Sequence, residues 1–376
     1  MTKQLNVGLI GLGYIGKIHT IAYRSIPLCF TDPPVVARLA AVLRSRLDTE
    51  QEAMRSFALA TTNSEEFYSQ PLDMVDVCSP NCLHLGHVMP ALKVGLAAYC
   101  EKPLASTLRD ARAMAEAADQ SGAPTQVGFM LRYAPAIRQM KALIAAGEIG
   151  DVFHFRAHMF RSSYLDPQRP MSWRLRCSES GGGAFMDLGA HLVDLTHYLL
   201  GRVRTVRALT RTCICERCTM VGRDTKEAVD VDDWALCTLE LASGAVGALE
   251  VTRMAAGAHD ATSFEVYGSK GALLYEARHP DSVRRFDSRR QQWSDETADL
   301  PSPVGERPMT EIWPADKFSL GAFTNMHMAA AYDFLLNIAE GKPSPVDFHA
   351  GVAVQEVIEA AYRSAACGGD PVQLTL

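Results

Sequence analysis

No apolar run in the sequence approaches the roughly 18–20 residues that a membrane-spanning helix requires, so a spanning protein is not expected. No block of like charge is present either. The 37 basic residues face 43 acidic ones, for a net charge of −6, and both signs are scattered along the chain. The basic stripe of a nucleic-acid binder is therefore missing, and an anionic membrane surface is an equally poor partner. There is no sustained apolar leader ending in a small-residue cleavage site, because the first apolar stretch breaks into glycines at Gly11. Without such a leader the ten cysteines read as reduced thiols, and the expected setting is cytoplasmic. No internal repeat and no low-complexity tract occurs. What remains, at 48% apolar and 21% charged, is ordinary globular composition.

The length of 376 residues suggests about two domains. In the first third, short apolar runs (Leu5–Ile10, Val35–Leu43, Asp73–Cys78, Leu96–Cys100, Thr125–Phe129) alternate with helical stretches. Among these are Tyr14–Ser25, Asp48–Ala58 and Thr107–Ser121, the last with Thr107 at its cap. Such alternation predicts an α/β fold with a doubly wound parallel sheet. Beyond about residue 130 the pattern changes to successive strands, including Val152–Phe160, Asp233–Leu241, Ala245–Arg253, Ser263–Tyr267 and Ala272–Glu276. Short connections between them predict an antiparallel or mixed sheet. Asp295–Phe318, with four prolines, reads as a surface loop, and helices close the chain around Asn325–Glu340 and Phe348–Cys367. The expected domains are 1–130 and 131–376, with binding in a cleft between them.

Gly11-Leu12-Gly13-Tyr14-Ile15-Gly16 follows the first strand and opens the first helix. In a dinucleotide-binding turn the first glycine permits the tight bend and the second admits the pyrophosphate. The third lets helix and strand approach, and the helix N-terminus faces the negative charge. An NAD site carries an acid at the end of the second strand, roughly 20 residues past the motif. Here Arg44, Ser45 and Arg46 stand at that point, and no acid appears before Asp48. Guanidinium geometry matches a 2′-phosphate, so NADP is favoured over NAD.

Further segments share a pattern with a known family: GLGYIGKIH at the start, SPNCLH at Ser79–His84, CEKPLA at Cys100–Ala105, GGGAFMDLGAHLVDLTHYLLG at Gly181–Gly201 and FEVYGSKGAL near Phe264. In this order they resemble the Gfo/Idh/MocA family of glucose–fructose oxidoreductase, inositol dehydrogenase and their relatives. Within it the chain is similar to the inositol dehydrogenase-like and levoglucosan dehydrogenase-like members. The resemblance implies an N-terminal Rossmann domain and a C-terminal α/β domain with a large open, mostly antiparallel sheet. It implies that Glu101 and Lys102 lie beside the nicotinamide, that the Lys102–Pro103 bond is often cis, and that a homodimer or homotetramer forms through the open sheet. It also suggests that Ser79, Pro80, Asn81 and His84 line the cofactor's path, and that Arg132, Trp173 and Arg174 close the substrate pocket.

Asp187, His191 and Asp194 recur at i, i+4 and i+7 and project from nearly one helix face, opposite Leu188, Leu192, Leu195 and Leu199. Spacing alone fits a polar helix edge as readily as a catalytic one. With the resemblance, Asp187, His191 and Lys102 become the catalytic candidates and Asp194 a structural one. Oxidising an alcohol needs a base for the hydroxyl proton, and histidine suits that exchange near neutral pH. Lys102 would stabilise a developing alkoxide, so no metal is required. Cys213, Cys215 and Cys218 suggest zinc by their closeness, but no second CxxC supplies the remaining ligand, so they read as a cysteine-rich loop. The expected activity is NAD(P)-dependent oxidoreduction at a hydroxyl-bearing carbon of a sugar or cyclic polyol. The alternatives are an NAD-retaining glycosidase of the same family and a catalytically silent NAD(P)-binding regulator.

Overall fold

A computed structural model describes residues 2–46, 55–220, 225–297, 302–303 and 305–375. The chain forms two compact units, Met1–Tyr133 with Gly305–Val352, and Ala134–Val304 with Ala353–Leu376. In the first unit, β1 (Lys3–Ile10), β2 (Val35–Leu43), β3 (Leu59–Thr61), β4 (Met74–Val77), β5 (Ala97–Cys100) and β6 (Thr125–Val127) make one sheet. Its order is β3-β2-β1-β4-β5-β6, and every pairing is parallel. This is the doubly wound order of dinucleotide-binding folds. Val7, Leu9, Val75, Val77, Ala98 and Tyr99 are fully buried, as strands covered on both faces must be. The helix Leu108–Ser121 keeps its expected bounds: Thr107 Oγ1 accepts from the Asp110 N–H at 3.1 Å, and Gly122 ends the helix at φ +65°.

The second unit holds β7 (Val152–Phe160), β8 (Val203–Arg211), β9 (Glu216–Cys218), β10 (Lys226–Ala228), β11 (Trp234–Leu241), β12 (Val246–Thr252), β13 (Ala261–Gly268), β14 (Gly271–Glu276), β15 (Ser282–Asp287), β16 (Gln292–Thr297) and β17 (Val372–Gln373). Nine of these form one sheet in the order β16-β15-β14-β13-β7-β12-β11-β8-β17, antiparallel except for the β7–β12 pair. β9 and β10 pair separately. Alternation along the strands buries Phe155, Ala157, Met159, Cys237, Leu249 and Phe264 on one face, where the helices Pro135–Ala145 and Ala190–Leu200 lie. The two architectures agree with the expected α/β class and the mostly antiparallel second sheet.

Three expectations need correction or restriction. Residues 48–54 of the anticipated helix Asp48–Ala58 lie outside the described residues, and 55–58 are not helical. Asp295–Phe318 is not a loop from its start: residues 295–297 complete β16, and short helical turns form at Met309–Ile312 and Asp316–Phe318. The β15–β16 hairpin was hidden by its polar sequence; its turn is set by Asp287 Oδ1, which accepts from the Arg289 N–H at 2.8 Å. Finally, residues 305–352 fold with the first unit, although a division near 130 assigns them to the second. The helix Ala322–Glu340 is buried almost all round, with Met328, Ala329, Phe334 and Leu335 at most 1% exposed, so its sequence carries no polarity to say which sheet it serves. Arg307 anchors it through Asp333 at 3.0 Å and Glu340 at 3.0 Å, and the Tyr133 hydroxyl donates to Asp333 at 3.0 Å.

Candidate active site

In the first unit the sequence-predicted residues gather at the C-terminal ends of β1, β2, β4 and β5. Gly11 has φ +93°, and a Cβ there would meet the Cys78 carbonyl oxygen at 2.9 Å. Only glycine suits both conditions. Its N–H donates to the Leu43 carbonyl at 2.9 Å, tying the turn to the end of β2. A Cβ on Gly16 would strike the Gly11 carbonyl oxygen, so the third glycine closes helix onto turn. Gly13, at the head of the helix Tyr14–Cys29, differs: a Cβ there would meet nothing within 4 Å, and no acidic residue stands in the first helical turn. That opening at a helix N-terminus fits a dinucleotide pyrophosphate. Tyr14 is exposed and Ile15 half-buried beside it.

Arg44 is half-buried, with its N–H donating to the Thr61 carbonyl at 2.9 Å, and Ser45 and Arg46 are exposed just beyond β2. Ser79, Pro80 and Asn81 follow β4. Buried His84 joins this segment to the next, with Nε2 2.9 Å from the Ser79 carbonyl and Nδ1 3.1 Å from that of Leu104. His87, not singled out from sequence, lies 3.0 Å from Ser79 Oγ. Burial and the neighbouring His84 push its imidazole down to about 4, so it is neutral at pH 7. Glu101 is buried and Lys102 half-buried, and the Lys102–Pro103 bond is cis. Arg132 is half-buried, with its Nη1 3.4 Å from the Pro345 carbonyl.

In the second unit, the glycine-rich segment preceding Asp187 is held by groups distant in sequence. Asp232 accepts from the Gly183 and Phe185 N–H groups, both at 2.9 Å, and from the Tyr362 hydroxyl at 2.7 Å. The Tyr362 oxygen itself accepts from the Gly183 and Met186 N–H groups at 3.1 Å. A Cβ on Gly183 would strike the Asp232 backbone, which explains the glycine. Burial pushes the Asp232 carboxyl up, against the pull of the Phe185 N–H, the Tyr362 hydroxyl and Arg253. The segment then makes a π-helical turn, Phe185–Gly189, before the α-helix Ala190–Leu200 begins. A plain helix through Asp187 is therefore not what forms. Such turns concentrate at functional positions.

Asp187 is 30% exposed and pairs with Arg253, whose guanidinium is 2% exposed, at 3.1 Å. The same Nη2 donates to the Gly183 carbonyl at 3.2 Å, and Nη1 to that of Arg174 at 3.4 Å. Arg253 also stands over the Tyr164 ring at 4.9 Å. His191 is 6% exposed and Asp194 1%. Trp173 and Arg174 are half-buried, the guanidinium lying over the indole at 4.3 Å. Arg253, Asp232 and Tyr362 carried no local signal, since each acts on residues 47 or more positions away.

The cysteine-rich segment has a structural explanation. Cys213 and Cys215 are exposed, and Arg217 points inward between Glu216 and Cys218, donating to the carbonyls of Tyr164 at 2.6 Å and Asp166 at 2.7 Å. The segment thereby clamps residues 164–169. Among the described residues, no group of side chains with metal-ligand spacing includes these cysteines.

Comparison with known proteins agrees with this geometry. Residues 5–129 match the model of the oxidoreductase family with an NAD-binding Rossmann fold, and residues 137–274 match the GFO/IDH/MocA C-terminal domain. The chain is 31% identical to levoglucosan dehydrogenase of Pseudarthrobacter phenanthrenivorans, over 97% of both proteins. It is 26% identical to myo-inositol 2-dehydrogenase of Thermotoga maritima, over 91% of this chain and 90% of that one. A solved structure of levoglucosan dehydrogenase in complex with NADH and levoglucosan superposes with a TM-score of 0.90 at 30% identity, covering all of both chains. The chain belongs to the GFO/IDH/MocA family of oxidoreductases.

Removing Arg253 leaves Asp187 and two carbonyls without their cation. Arg253→Leu is expected to lower stability by about 3 kcal/mol, the lower end for breaking a buried pair because Asp187 is partly solvated. Urea denaturation measures this, and a loss below about 0.5 kcal/mol, the size of an ordinary surface substitution, contradicts the anchoring role.

Proposed function

We propose that the protein is a nicotinamide-dependent dehydrogenase that moves hydride to or from a hydroxyl-bearing carbon of a sugar or cyclic polyol. The observation that carries this is the open Gly13 turn at a helix N-terminus, in a chain whose full-length relatives are sugar and polyol dehydrogenases. Gly11, Gly13, Tyr14, Ile15 and Gly16 hold the pyrophosphate end of the cofactor, and Ser79, Pro80, Asn81, His84, Glu101 and Lys102 accompany it toward the reacting end. When bound, the nicotinamide supplies hydride acceptance or donation.

The chain's own residues handle the proton and the charge. His191 takes the hydroxyl proton in oxidation and returns it in reduction, a task matched to imidazole near neutral pH. The Lys102 ammonium lowers the cost of the alkoxide that develops as the proton leaves. Asp187, fixed by Arg253, orients a substrate hydroxyl or the imidazole. Arg132, Trp173 and Arg174 bound the sugar, the indole offering an apolar face. Levoglucosan and myo-inositol, the compounds named for two relatives, support a cyclic, hydroxyl-rich substrate.

His191→Ala is expected to reduce kcat by at least about 100-fold, the contribution of a general base, while the melting-temperature rise on adding nucleotide persists. Loss of both together contradicts the assignment.

For the cofactor we favour NADP over NAD, because Arg44, Ser45 and Arg46 sit where an acid would otherwise receive the ribose hydroxyl. The levoglucosan dehydrogenase structures hold NADH, so the choice differs between relatives on this reading. Thermal stabilisation by NADP(H) exceeding that by NAD(H) at equal concentration is the expected result. Stabilisation by NAD(H) alone reduces the two arginines to solvated side chains.

A further inference from the structure

His19, on the helix Tyr14–Cys29 three residues past the glycine turn, is 1% exposed and lies between two carboxylates. Its Nδ1 is 2.8 Å from Asp76 Oδ2 and its Nε2 is 3.3 Å from Glu101 Oε1. Asp76, wholly buried on β4, also accepts from the Tyr23 hydroxyl at 2.9 Å and the Cys78 thiol at 3.4 Å. His327 Nδ1 stands 3.2 Å from His19 Nε2, and the Tyr99 ring meets the imidazole edge-on at 5.4 Å. Ionised carboxylates only accept hydrogen bonds, and a neutral imidazole has a single N–H. Nε2 is hydrogen-bonded with His327 Nδ1, while Glu101 Oε1 lies within ion-pair distance of Nε2 and has no hydrogen-bond partner among the described residues. A buried carboxylate beside each ring nitrogen is best compensated by the imidazolium, whose charge faces Glu101 as its Nε2–H points to His327.

Glu101 is shaped for this contact. Its Oε2 accepts from the Lys102 N–H at 3.3 Å, and a Cβ on Gly128 would strike Oε1, so glycine there leaves the slot in which the carboxylate sits. We propose that Asp76, His19 and Glu101 form a buried ion chain that positions Lys102 by fixing the peptide from which its side chain departs. This rests on the role given to Lys102 above. None of the three residues touches reacting atoms on this account; His19 and Asp76 act through Glu101, and Glu101 through Lys102. Burial alone would pull His19 down, but Asp76 and Cys78 outweigh it and hold the imidazole well above its ordinary range. Burial pushes Glu101 up, while His19, His327 and Lys102 pull it below the usual carboxylate range. The chain thus stays ionised across neutral pH. It fails as pH rises through the raised His19 value or falls through the lowered Glu101 value.

A double-mutant cycle with a spectroscopic arm tests this on the full-length enzyme. His19→Gln is expected to lower kcat by about 10–100-fold with nucleotide affinity changed less than about threefold, Glu101→Gln to lower kcat to a similar degree, and the double variant to be no worse in kcat than either single one. In His19→Gln the acid limb of kcat should move to higher pH, because Glu101 loses the cation that holds it down. Multiplicative losses, or an unmoved acid limb, overturn the proposal. Should the variants not fold, 15N NMR of the wild type decides: both His19 ring nitrogens protonated at pH 8 supports the ion chain, and a neutral tautomer refutes it. One equivalent of zinc in the purified protein, lost in His327→Ala, would replace the ion chain by a metal centre. Lys102→Met separates the two layers of the argument. Turnover retained in that variant removes the role of Lys102 itself, whereas turnover lost there but kept in His19→Gln removes only the ion chain.

Discussion

An ionised carboxylate taken out of water costs several kilocalories per mole unless a cation or a set of N–H groups reaches it. Both units are organised around that constraint. In the first, Asp76 and Glu101 are buried and lie either side of one imidazole, and the peptide N–H of Lys102 donates to Glu101. In the second, Asp232 is served by two peptide N–H groups and a tyrosine hydroxyl, and Asp187 by a guanidinium with almost no solvent exposure. Each arrangement fixes a short glycine-bearing or loop segment that regular secondary structure would not hold. The chemistry assigned to Lys102, Asp187 and His191 depends on these segments staying where they are.

Much of this was legible in the sequence where the determinant is local. The glycine turn could be read because each glycine answers a separate steric demand, and the three demands reappear as a positive φ at Gly11, an opening at Gly13 and a close contact at Gly16. The helix Leu108–Ser121 was bounded by its own cap and terminal glycine. Strands of the second sheet followed from alternation, since one face is buried. Long-range partners were not legible. His19 meets Asp76 from 57 positions away and Arg253 meets Asp187 from 66, and no periodicity links them. His19 was visible only as the last letter of GLGYIGKIH.

The domain boundary near residue 130 departs from the two compact units for a physical reason. The helix Ala322–Glu340 is buried on nearly every side, polar residues included, so no solvent-facing stripe in its sequence names the sheet that buries it, and the return of residues 305–352 to the first unit could not be foreseen. The cysteines at 213, 215 and 218 read from sequence as a loop rather than as ligands, and the residue with the structural task there is Arg217 between them, whose guanidinium binds three main-chain carbonyls. Side chains that are conspicuous by type and side chains that organise a loop need not coincide.

Hydride transfer to or from a sugar carbon is the central claim, and isotope transfer tests it most directly. A cyclic polyol or sugar found to support turnover would be supplied with deuterium on the reacting carbon, and the nicotinamide recovered and weighed by mass spectrometry. The account predicts a reduced nucleotide one mass unit heavier, labelled on the nicotinamide ring. Product formation with no deuterium on the nucleotide would contradict it.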